Sequence, residues 1–91
     1  MTEFVKIDTA VLDYEEDWTA WLDGDTISTS SWAADSGITI DSDSNTTVKG
    51  IVWLSGGTVG ESYDVTNTIV TAAGREDSRT IEITITDKKY D

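Results

Sequence analysis

The sequence predicts an all-β domain, an antiparallel sandwich of six to seven short strands, on three observations. Its second half carries runs that alternate apolar and polar side chains, the period of a strand with one buried face. Clusters of Gly, Asp, Asn and Ser, the residues that turns require, separate these runs about every 8–12 residues. Finally, 91 residues hold four tryptophans, three tyrosines and one phenylalanine but no cysteine. A chain of this size buries only about 60–65% of the surface its unfolded form exposes. The aromatic rings, each able to bury ~150–250 Å², must therefore build one thin core without disulfides.

Residues 1–10 show no sustained pattern and are expected as an exposed arm, with Phe4, Val5 and Ile7 laid against a neighbouring subunit or an edge strand. Residues 11–22 fit two periods, because Val11, Tyr14, Trp18, Trp21 and Leu22 also fall at helical spacing. A strand over 11–18 followed by one helical turn carrying Trp21 and Leu22 is favoured, since layered domains rarely isolate a helix among strands. The Asp23-Gly24 turn leads into a strand over 25–32, diluted by serine and threonine and ending near Ala33-Ala34. Ile38–Ile40 is a short strand facing Val48–Leu54 across a turn of Asp41-Ser42-Asp43-Ser44-Asn45, and Ser55-Gly56-Gly57 closes the second of these. Tyr63–Val70 and Thr80–Thr86 alternate most cleanly, and Ala72–Asp77 with Gly74 joins them into a long hairpin. The domain is expected over 11–88, with a short tail at 89–91. So many short strands in one chain are the signature of an immunoglobulin-like sandwich with a Greek-key connection. Gly60-Glu61-Ser62-Tyr63 fits a corner tied by the tyrosine hydroxyl, and equally an ordinary cross-strand tyrosine.

Eighteen acids against six bases give a net charge of −12, which repels phosphate backbones and anionic membranes, so neither nucleic acid nor membrane is an expected partner. The imbalance is concentrated: residues 1–45 hold eleven acids and one base, residues 46–91 seven acids and five bases. A solvated face explains this, as does a match to a basic partner protein. No basic segment precedes an apolar run near Met1, and no stretch approaches the ~20 apolar residues of a membrane span. Neither a signal peptide nor a transmembrane helix is expected.

The absence of histidine and cysteine removes the familiar nucleophile–base pairs, thiolate chemistry and the usual zinc ligands. Carboxylates such as Asp13, Glu15 and Asp17 would need a cleft that shifts one pKa, which so small a domain does not readily build. No enzymatic activity and no cofactor is expected. Asp41–Asn45 resembles the opening of a calcium loop, but Thr46 and Val52 stand where that loop needs glycine and a bidentate glutamate. The tryptophans suggest core or subunit contact rather than a sugar platform: Trp53 sits within an apolar strand, Trp18 and Trp21 flank a tight turn, and Trp32 is the one expected to be partly exposed. Arg75 and Arg79 lie close to Glu76 and Asp77, which fits a locally salt-bridged turn or a contact tip docking on another subunit.

Several blocks carry a further likeness: Val11-Leu12-Asp13-Tyr14, Asp17-Trp18-Thr19-Ala20-Trp21-Leu22, Val52-Trp53-Leu54-Ser55-Gly56-Gly57-Thr58-Val59-Gly60, Tyr63-Asp64-Val65-Thr66-Asn67 and Thr71-Ala72-Ala73-Gly74-Arg75. Together, over roughly residues 8–87, the chain resembles small bacteriophage virion proteins of the fiber–tail adaptor type. Glu16 departs from that pattern, standing where an apolar residue is common. The resemblance implies an immunoglobulin-like structural protein of the phage particle, made in the host cytoplasm and linking fibers to the tail or baseplate. Its implied partners are other virion proteins of tail, baseplate, fiber or capsid, together with further copies of itself. Two other roles stay open, a capsid decoration protein and a carbohydrate-binding host-adhesion module. The expected contact residues are Phe4, Val5, Ile7, Trp32, Arg75 and Arg79.

Overall fold

Alternation becomes architecture in the computed structural model, which describes residues 2–87. The strands are β1 (Thr2–Ile7), β2 (Leu12–Asp17), β3 (Ile27–Ala34), β4 (Ile38–Asn45), β5 (Lys49–Gly56), β6 (Ser62–Thr71) and β7 (Glu76–Thr86), with a single helical turn, α1 (Thr19–Leu22), between β2 and β3. The strand-then-turn reading of residues 11–22 is the observed one. The expected tail at 89–91 lies outside the described residues.

Four strands pair in the order β1-β7-β6-β3 and three in the order β2-β5-β4. All neighbours are antiparallel except β1, which runs parallel to β7. The inward rows meet between the sheets: Tyr14, Ile38, Val52 and Leu54 from one, Tyr63, Val65, Ile81, Ile83 and Ile85 from the other, all buried in one cluster. A second cluster of Trp18, Leu22, Ile27 and Ile69 fills the end carrying α1. At the opposite end the Tyr63 hydroxyl accepts a 3.0 Å hydrogen bond from the Thr58 N–H, so of the two readings of this residue the tied corner is the one that forms.

Three expectations are corrected. Residues 2–7 are not an arm outside the domain but strand β1, paired with β7 from Thr2↔Ile81 to Ile7↔Thr86, so of the two placements expected for this segment the one along a strand of the sheet is the one that forms. The Phe4 ring packs on Tyr14 at 4.9 Å, and buried Lys6 donates 2.9 Å hydrogen bonds to the carbonyls of Ile7 and Gly56. Burial lowers the pKa of that lysine, an effect the charges of Asp8 and Asp41 oppose. Asp41–Asn45 is not a turn but the outer half of β4, paired with β5 through a bulge between Ile40 and Ser42. It sits at a sheet edge, where short polar side chains discourage pairing with another chain. Finally, Trp32 is partly exposed as expected, packing against the core with its indole nitrogen lacking an acceptor, but Trp53 is the more exposed of the two, facing outward at 41%.

Candidate functional site

The residues expected to make contacts do not converge. Phe4, Val5 and Ile7 belong to β1 and Trp32 to β3, the two opposite edges of the four-stranded sheet, while Arg75 lies in the β6–β7 turn and Arg79 on β7. Phe4 and Ile7 are partly buried, and only Val5 stands well exposed at 53%.

The two arginines hold the chain to itself. Neither pairs with Glu76 or Asp77. Arg75 crosses to the α1 turn, where Nε meets Asp25 at 3.3 Å, Nη1 and Nη2 donate to the carbonyls of Trp21 and Leu22 at 3.3 and 2.8 Å, and the guanidinium lies 4.2 Å over the Trp21 ring. The Leu22 carbonyl belongs to a helix end whose last carbonyls have no partner within the helix, so a cation is favourable there. Arg79 repeats the arrangement one strand pairing along: Nη1 reaches Glu16 and the Asp17 carbonyl, both at 3.1 Å, and the guanidinium lies 4.2 Å over Trp18. Glu16, the departure from the adaptor pattern, is thus the carboxylate that anchors Arg79.

Beneath these staples, buried Asn67 closes a network that sequence reading missed. Its Oδ1 accepts from the Trp18 indole N–H at 2.9 Å, and its amide donates to the Ser30 hydroxyl and the Ser31 carbonyl, both at 2.9 Å. The signal was present as a polar residue at an inward position of an otherwise apolar row, between Val65 and Ile69.

The acids beside α1 are held ionised. Hydrogen bonds from the Thr19 side chain and backbone lower the pKa of Asp17, and those of Thr71, Thr26, Arg75 and Ala73 lower that of Asp25, both from 3.8. A carboxyl whose folded pKa is depressed stabilises the fold fully above its unfolded pKa and loses that contribution as pH falls through the folded value. Thermal unfolding should therefore be steady above about pH 5 and fall in temperature as the pH drops below 3.8. Asp25→Asn should be less stable than the parent at neutral pH and show a shallower acid dependence; parallel curves for the two proteins would contradict this assignment.

The outward face of the β2-β5-β4 sheet is different in kind. Because Val52 and Leu54 point into the core, Ile51 and Trp53 point out, and register sets Asp13 opposite Trp53 and Glu15 opposite Ile51 on one side, with Ser42 and Ser44 opposite them on the other. Glu15 pairs with Lys49 at 3.3 Å, and Asp41 accepts from the Ser55 hydroxyl at 2.7 Å. A run of four apolar residues hides its own facing, so Trp53 was not legible as exposed. Among the described residues no group of three or more His, Cys, Asp or Glu is placed to hold a metal ion, and no helix is long and apolar enough to cross a membrane.

Comparison with curated proteins gives no match. A family model described as podophage GP4 fiber-tail adaptor protein gp77 matches residues 6–84. That span runs from the buried lysine of β1 almost to the end of β7, through both sheets, both arginine staples and the Trp18–Asn67 network. The chain belongs to the podophage fiber-tail adaptor family.

Proposed function

We propose that the protein is a non-enzymatic structural part of a bacteriophage virion, joining fibers to the tail or baseplate through protein–protein contacts and present as several copies in the assembled particle. The family match over residues 6–84 carries this reading. The chemistry of the chain supports it. The chain has no histidine or cysteine, and among the described residues the buried polar or charged ones include Lys6 and Asn67, both engaged in holding strands together. The immunoglobulin-like reading draws support from strand pairing. Seven-stranded immunoglobulin sandwiches place their second, fifth and fourth strands in one sheet and their third, sixth and seventh in the other. The orders β2-β5-β4 and β3-β6-β7 agree with that.

Labelling the chain in purified particles and imaging the label tests the role. The expected position is the junction of fibers and tail, and particles made without the protein should carry tails lacking fibers. A label spread over the capsid shell, with fibers retained in the deletion, would overturn the adaptor in favour of a decoration protein.

A further inference from the structure

We propose that the outer face of the three-stranded sheet, centred on Trp53, docks an arginine-bearing surface of a second protein. The inference deepens the adaptor reading and rests on it.

The face has a ring and an acid placed side by side. Trp53 is 41% exposed in the middle of β5, and Asp13 on β2 stands directly opposite it on the same face. Directly opposed residues in an antiparallel pair have Cβ atoms about 4.5–5.5 Å apart. Their side chains can therefore meet one incoming group together. Ile51 extends the apolar centre along β5, and Glu15, Ser42 and Ser44 border it.

The chain itself shows what such a pairing holds. Trp21 with Asp25 holds Arg75, and Trp18 with Glu16 holds Arg79, each guanidinium 4.2 Å from its ring and ion-paired to the acid beside it. Trp53 with Asp13 offers the same two groups, yet among the described residues no cation lies over this ring and none pairs with Asp13; the nearby Lys49 is engaged by Glu15. A planar guanidinium suits the place better than an ammonium, since it stacks on an indole while its N–H groups reach a carboxylate. Charge favours the same partner. On this face β2 sets Asp13, Glu15 and Asp17 opposite Trp53, Ile51 and Lys49, so three acids line that side against one base. That field draws a cationic surface toward this face and turns away acidic ones. A half-exposed tryptophan at the centre of a patch is also the residue type most often dominant in protein interfaces.

Two measurements on the full-length chain decide it. In nitrogen-15 NMR, titration with a hexa-arginine peptide should shift the Trp53 indole N–H and the amides of Asp13, Glu15 and Ser42 saturably, while a hexaglutamate peptide leaves them in place. Trp53→Ala, at an exposed position, should unfold at the parental temperature and bind the arginine peptide about tenfold more weakly. Equal binding by Trp53→Ala would reduce the interaction to bulk charge and overturn the proposal, as would a neutral oligosaccharide that shifts the same resonances. In particles, Trp53→Ala should lower fiber occupancy. If labelling places the chain at the fiber–tail junction and the variant still carries fibers at parental numbers, the docking face is wrong and the adaptor role stands. A wild-type label found away from that junction would instead remove the adaptor reading and this proposal with it.

Discussion

Trp18→Ala is expected to leave the protein largely unfolded at room temperature. The indole is fully buried with Leu22, Ile27 and Ile69, lies edge-on to Trp21 at 5.3 Å, carries the Arg79 guanidinium on its face, and donates its N–H to Asn67. Truncating a buried tryptophan to alanine costs about 3–5 kcal/mol in lost burial and cavity. The carbonyl oxygen of Asn67 then has no donor in a dry interior, which adds about 1–3 kcal/mol. A domain of this size with one thin core and no disulfides sits near the low end of the usual ~5–15 kcal/mol, about 5 kcal/mol, and the sum removes most or all of it. Circular dichroism in a urea series should show the midpoint fall to near zero denaturant. Trp18→Phe shrinks the packing loss, because it keeps a large part of the ring while losing the N–H; about 1–3 kcal/mol for the orphaned Asn67 oxygen, plus a packing loss smaller than that of the alanine variant, is expected there. If both variants unfolded within about 1 kcal/mol of the parent, the end of the sandwich carrying α1 would have to be held by something other than this network.

That network also shows where the sequence could and could not be read. β6 and the second half of β7 were visible because Tyr63, Val65 and Ile69, and then Ile81, Ile83 and Ile85, keep a period of two that only Asn67 interrupts, and a period needs nothing but the chain itself. Long-range polar partnerships leave no such trace. Asn67 reaches Trp18 across 49 positions and Arg79 reaches Glu16 across 63, so neighbours in sequence, Glu76 and Asp77, were the natural but mistaken partners. Gly50, the second residue of β5, carries no signal of its own in the sequence. Its reason is likewise distant, since a Cβ there would collide with the Asn67 side-chain oxygen. β1 escaped notice because Lys6 occupies an inward position and breaks the apolar row, its ammonium satisfied by carbonyls at the mouth of the sandwich. The outer half of β4 escaped for the opposite reason. An edge strand exposed on both faces has no alternation to show, and Asp41–Asn45 therefore carries the composition of a turn while holding the geometry of a strand.

The corner at the other end of the sandwich makes the second large prediction, that Gly57→Ala lowers the unfolding temperature by roughly 10–30 °C. Gly57 follows β5 with φ +97°, a region where an L side chain costs about 1–2 kcal/mol. It is also crowded: a Cβ would stand 2.6 and 2.7 Å from Cγ1 and Cδ1 of buried Ile85 and 3.5 Å from the Tyr63 ring. Forcing a methyl into a filled core adds about 1–3 kcal/mol, and here the neighbour that must give way is Ile85, while the Tyr63 ring stays in ordinary contact. Gly60→Ala supplies the comparison, because that residue has a similar φ of +89° with open space around it and should show the backbone cost alone. The difference between the two variants then measures the collision with Ile85. Adding Ile85→Val, which removes Cδ1, should restore part of the loss in the Gly57→Ala background while destabilising the parent, a coupling of opposite sign that backbone strain could not produce. Equal losses for Gly57→Ala and Gly60→Ala, with no rescue by Ile85→Val, would mean that the corner yields to the extra methyl and that glycine stands there for its backbone alone.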